Sequence, residues 1–99
     1  MKNFRTYDLA KEFNRASHAV KLKAPYRDQF QRAVASIALN LAEGSAKTSN
    51  ADRRRFYEIA LGSLRETQAL IDILDINELK ESADKLGANL FCLCRSLRL

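Results

Sequence analysis

Apolar residues recur at helical spacing in four separate stretches of the chain. In the first, Leu9, Phe13, Ala16 and Val20 step by four, three and four, which is one face of an α-helix. Thr6 is the N-cap candidate. Lys21 and Lys23 close the segment, where positive charge suits the negative end of the helix dipole, so this helix is expected to end near Lys23. Pro25 marks a new start, because proline suits the first helical turn and the residue before it resists helix. The second stripe is Phe30, Val34, Ile37 and Leu41, flanked by Ala33, Ala38 and Ala42, and it reads as a broadly buried helix. Gly44 is its expected C-cap, followed by the polar loop Ser45, Ala46, Lys47, Thr48, Ser49 and Asn50. Ser49 or Asn50 caps a third helix with the register Phe56, Ala60, Ser63, Thr67, Leu70, Leu74, widened by Ile59, Leu64 and Ile71. Gly62 and Ser63 weaken its middle, which predicts that another helix crosses closely there. Asp75, Ile76 and Asn77 form a tight break, and Asp75 or Asn77 caps a fourth helix carrying Leu79, Ala83, Leu86, Leu90, Leu93 and Leu97.

Four amphipathic helices with short connections pack most simply as an all-α, antiparallel up-down-up-down four-helix bundle, expected to fill residues 1–99 as one domain. The apolar positions are more numerous than one bundle core requires. Leu39, Tyr57, Leu61, Phe91 and Cys94 lie off the main seams, which fits either self-association through a second apolar face or single surface hydrophobes.

Composition narrows the class. With 46% hydrophobic and 29% charged residues, and only Gly 3 and Pro 1, the chain lacks the turn-rich character of sandwiches, barrels and disordered tails. The longest nearly apolar run, residues 33–39, is far short of the ~20 residues of a membrane-spanning helix. Lys2, Arg5, Asp8, Lys11 and Glu12 break up any secretory leader, so a cytoplasmic location is expected. Cys92 and Cys94 point roughly 200° apart on a helix and do not bridge each other; with His18 as the only histidine, no metal site is expected, and no cofactor. The net charge of +5 is uneven: residues 1–65 hold 13 basic and 6 acidic side chains, whereas residues 66–99 hold 4 and 6. Such asymmetry can attract polyanions, although many basic proteins bind none.

Particular stretches carry a resemblance. Tyr7, Leu9, Ala10 and Phe13, then Gln31-Arg32-Ala33, Ser36-Ile37 and Asn40-Leu41-Ala42-Glu43-Gly44, followed by Phe56, Ile59-Ala60-Leu61-Gly62-Ser63-Leu64 and Glu66, resemble the small four-helix bundle proteins encoded within intervening sequences of bacterial 23S rRNA genes. The resemblance implies a four-helix protomer commonly assembled into a homopentameric ring. It also extends to the accessory bundle of diversity-generating retroelements, where a basic ring works with a reverse transcriptase and nucleic acid. Two departures stand out: a shorter junction between helices three and four, and Ala46-Lys47 where glycine and arginine are more common.

Arg53, Arg54 and Arg55 are the sharpest local feature, since positive charge is disfavoured in the first turn of a helix. Phosphate contact is one reading, because guanidinium groups match phosphate oxygens; the other is a solvated face with Arg54 paired to Glu58 one turn on. In an up-down bundle, Lys47 and this triplet cluster at one end, opposite Lys21, Lys23 and Arg27 at the other. A ring multiplies each cluster. Asn40, Glu43 and Glu66 read as structural polar groups, with Arg32 the candidate partner of Glu43 or Glu66. Ser17 and His18 are adjacent and diverge by about 100°, so they make no nucleophile and base pair. The sequence therefore predicts a non-enzymatic, self-assembling bundle that binds RNA or DNA through basic loop ends, or else a protein-interaction scaffold whose outer apolar face receives a partner.

Overall fold

The computed structural model describes residues 4–97. Four helices follow one another: α1 (Phe4–His18), α2 (Tyr26–Ser45), α3 (Asn50–Ile73) and α4 (Lys80–Ser96), with a single 3₁₀ turn over Asn77–Leu79 before the last. Among the described residues there is no strand, and the molecule is an all-α four-helix bundle. Its dimensions of 40 × 21 × 19 Å match helices laid side by side, since the longest, of 24 residues, spans about 36 Å.

The α2/α3 contact is the most extensive in the molecule. Ser36 on α2 lies against Ser63 on α3, and further along α2, Gly44 lies against Tyr57, so the two helices run in opposite directions. On the other side of α3, Gln68 meets Asp84 and Leu64 meets Gly87, which sets α4 opposite to α3 as well. Helix α1 packs on α2, on α4 and on the 3₁₀ turn. Phe13, Phe30, Val34, Ile37, Leu41, Tyr57, Leu64, Leu86 and Leu90 are among the large side chains of the core. Each contributes about 1.5–3 kcal/mol by leaving water.

Several local expectations give way. Helix α1 ends at His18, not near Lys23. Val20 and Leu22 both pack on the core, and residues two apart share a side only in extended chain, so the backbone leaves the helix to bury both. Thr6 is buried inside α1 and caps nothing. Gly44 is not a C-cap: α2 continues through Ser45, and the glycine is where Tyr57 comes closest. A Cβ there would stand 2.7 Å from Tyr57 Cε1 and 2.8 Å from its Cδ1. Gly62, by contrast, is exposed with no atom within 4 Å of where its Cβ would be, so no helix crosses at it; the close crossing lies at the adjacent Ser63.

The buried positions of α3 are Tyr57, Ala60, Leu64, Thr67, Leu70 and Ile71, so Ala60, Thr67 and Leu70 of the expected register face inward with Leu64 and Ile71, whereas Phe56, Ser63 and Leu74 are only half-buried and Ile59 is exposed. Tyr57 and Cys94 are thus core residues, not outer ones. Ser49 is the cap of α3, its Oγ accepting from the Asp52 amide at 3.1 Å. Neither Asp75 nor Asn77 caps α4. Asp75 instead takes a left-handed conformation (φ 55°) as α3 ends. There the Ile76 amide donates to the Ile71 carbonyl and the Asp75 amide to that of Asp72, while Ile76 is buried; this is the Schellman arrangement with aspartate in the usual glycine position.

Gly44 and Gly62 give opposite expectations. Gly44→Ala drives a methyl group into the Tyr57 ring and lowers unfolding free energy by about 1–3 kcal/mol. Gly62→Ala meets open space and raises it by about 0.5–1 kcal/mol through helix propensity. Urea denaturation of the two variants measures both.

Candidate interaction surfaces

The connection between α2 and α3 gathers one basic cluster. Arg53 sits in the first turn of α3 and folds back over the loop: its Nε donates to the Lys47 carbonyl oxygen at 2.9 Å and its Nη1 to Asn50 Oδ1 at 3.1 Å. It is a staple for the loop. Arg54 Nε lies 3.4 Å from Glu58 Oε1, the pair expected from one-turn spacing. Lys47 Nζ lies 3.3 Å from Glu43 Oε2, so Glu43 is engaged from the loop that follows its helix and not by Arg32. Both Lys47 and Arg55 rest on the ring of Phe56, at 5.0 and 4.6 Å from its centroid. Phe56 belongs to the expected core stripe, yet it serves as a half-buried platform under two cations. Of the triplet, Arg55 alone has no polar partner among the described residues beyond that ring.

Lys21, Lys23 and Arg27 are exposed at the far end of α2, about 30 Å away along its 20 residues. Arg27 Nε lies 3.6 Å from Asp28 Oδ1. Because α3 runs back along α2, its C-terminal Asp72 and Asp75 come to this same end, followed by Glu78 at the 3₁₀ turn. Carboxylates therefore offset the lysines here. The two basic clusters are unequal, and the end carrying Lys47 and Arg53 to Arg55 is the more positive.

A third region lies midway along the outer side of α2 and α3. Asn40 Nδ2 donates to the Ser36 carbonyl at 2.8 Å and to Ser36 Oγ at 3.0 Å, and Ser36 Oγ shares a hydrogen bond of 2.8 Å with Ser63 Oγ. Ser36 and Ser63 thus tie the two helices together, while Asn40 braces Ser36 from its own helix. Beside them a cleft of about 260 Å³ is lined by Gln29, Arg32, Ser36, Ser63 and Glu66. Arg32 and Glu66 share this cleft without an ion pair within 4 Å between them.

Exposed large hydrophobic side chains concentrate on the same side. Leu39 and Ile73 are each 68% exposed, and Ile59 and Tyr26 nearly half. On α3 the exposed residues Ile59, Gly62, Glu66, Ala69 and Ile73 step by three and four, a second helical stripe beside the buried one. The expected register merges Ile59 with the core, although the spacing itself carries the signal of a separate outer face. Phe91, the remaining large hydrophobic residue exposed among the described residues, lies on α4 beside Arg65, Gln68 and Asp84. No cluster of three or more metal-ligating side chains occurs among the described residues, and no helix among them is long and apolar enough to cross a membrane.

These features define a small helical bundle with a basic end and an apolar outer face. The chain belongs to the 23S rRNA-intervening sequence protein family, whose family model matches residues 2–97. A comparison with curated protein sequences returns no match.

The arginines of the triplet separate by role. Arg53→Ala removes two hydrogen bonds from the loop and lowers stability by about 1–2 kcal/mol. Arg54→Ala removes a partly exposed ion pair worth about 0.3 kcal/mol. Thermal denaturation of the pair of variants ranks them.

Proposed function

We propose that this chain acts as a self-assembling helical scaffold whose copies meet through the outer face of α2 and α3, with the basic α2–α3 end turned toward RNA or DNA. The assembly reading is carried by one observation: of the five large hydrophobic residues exposed among the described residues, four (Tyr26, Leu39, Ile59 and Ile73) lie on those two helices. Large apolar side chains exposed together on one side of a molecule, among polar groups, mark interaction sites in soluble proteins. Gly62 adds room, since nothing occupies the space where its side chain would project. A ring is the form that the family resemblance suggests. Light scattering during size-exclusion chromatography tests the reading: the natural chain elutes as an oligomer, and Leu39→Glu combined with Ile59→Glu elutes as a folded monomer. A monomeric natural chain at ~100 μM, where even a micromolar contact is saturated, overturns it.

The nucleic-acid reading is supported by Arg55 and Lys47 on the Phe56 ring, which hold positive charge at the surface beside an aromatic group. Arg53 contributes less to this role, since its loop hydrogen bonds engage its guanidinium. The expected result is that Arg54→Glu with Arg55→Glu weakens binding of single-stranded RNA and flattens its salt dependence by roughly 0.7 for each phosphate no longer neutralised. Unchanged affinity across the salt series removes this end as the binding surface. If the chain instead captures a protein partner in the assembly, that partner stays bound after nuclease treatment at high salt.

A further inference from the structure

The outer face of α2 and α3 carries matched features at matched levels. With Ser36 against Ser63 and the helices opposed in direction, Leu39 falls level with Ile59, Arg32 with Glu66, and Tyr26 with Ile73. Arg32 and Glu66 border the same cleft yet have no ion-pair partner among the described residues; of the other acidic residues on these two helices, Asp28, Glu43 and Glu58 have a basic partner, and Asp52 and Asp72 have none. Glu66 has only Gly62, Ser63, Ala69 and Leu70 one turn away on its own helix, so no residue of that helix neutralises it, and Arg32 across the cleft is not within ion-pair distance. Arg32 has Asp28 one turn back, but that carboxylate lies beside Arg27.

We propose that this face docks on a second copy of the chain with α2 of one copy along α3 of the next at the same level, so that Arg32 pairs with Glu66 of the neighbouring copy. The inference rests on the assembly reading above and specifies its geometry. Charge chooses the arrangement. A rotation axis perpendicular to the helices in the plane of the face lays Arg32 on Arg32 and Glu66 on Glu66, which is repulsive at both positions. An axis parallel to the helices exchanges α2 for α3 without changing level, and three contacts then form together: Leu39 with Ile59, Arg32 with Glu66, and Tyr26 with Ile73. The apolar contacts lie on either side of the ionic one and exclude water from it, which strengthens the attraction. What this contact fixes is an axis parallel to the helices: a pair of copies forms the α2–α3 strip twice about a two-fold, whereas a closed ring forms it once between each two neighbours.

Charge reversal tests the pairing. Arg32→Glu and Glu66→Arg are surface changes that leave the core untouched, and circular dichroism verifies that each variant is helical. Either single reversal is expected to weaken self-association by about tenfold or more, and the double reversal to restore it to within about threefold of the natural chain, measured by sedimentation over a concentration series. If the natural chain assembles and Arg32→Glu assembles equally well, or the double reversal is no better than the singles, the pairing is wrong while the assembly reading stands. A natural chain that remains monomeric overturns both.

Discussion

The bundle is organised around the approach of α2 to α3 at Gly44. Tyr57 is the largest fully buried side chain among the described residues, and its ring occupies the space that any side chain at position 44 would claim. Helix separation at this end is therefore set by a backbone against an aromatic ring. The hydrogen bond between Ser36 and Ser63 ties the same two helices two turns further along, with Asn40 holding the Ser36 hydroxyl from its own helix. One contact fixes spacing and the other fixes register. With both fixed, side chains on the outer surface of the pair have determined levels, which is what allows Arg32 and Glu66 to border a single cleft.

Helical periodicity locates all four helices because each buries a continuous stripe, and no alternating pattern competes with it. Periodicity is weaker at deciding which of two adjacent apolar residues points inward. Phe56 and Tyr57 both suit a core, and only the space provided by Gly44 selects Tyr57. Helix ends are legible where a side chain does the capping, as at Ser49. They are not legible where packing of the following residues decides, as with Val20 and Leu22 after α1. Glycine is the most ambiguous letter: Gly44 looks like a helix terminator by position, but it is a packing residue, whereas Gly62 looks like a crossing point and faces open space.

The candidate site divides in the same way. Which basic residues share an end follows from chain direction alone, and the Arg54–Glu58 pair follows from one-turn spacing. The role of Arg53 does not, because its acceptor is the carbonyl of Lys47, and the path of loop backbone leaves no trace in side-chain patterning. Its hydrogen bonds also account for tolerance of an arginine run at a helix N-terminus. The dipole disfavours such charge by a few tenths of a kcal/mol per residue. Asp52 in the same turn, Glu58 one turn on and the loop carbonyl together neutralise most of it locally. Arg55 is left to the Phe56 ring and the solvent.

Solvated glutamate and arginine ordinarily need no explanation on a helix surface, and neither does an isolated exposed leucine. The outer face of α2 and α3 differs because its charged and apolar residues are ordered along the helices: apolar at Leu39 and Ile59, ionic at Arg32 and Glu66, apolar again at Tyr26 and Ile73. Burying the apolar parts alone would favour association in any orientation, since the hydrophobic effect is non-directional. The unpaired charges between them remove that freedom, because every orientation that leaves Arg32 or Glu66 buried without an opposite charge carries a desolvation cost. A polar centre within an apolar face thus weakens adhesion somewhat and makes its geometry selective, and the hydroxyl bond between Ser36 and Ser63 holds the two helices in register beneath that centre.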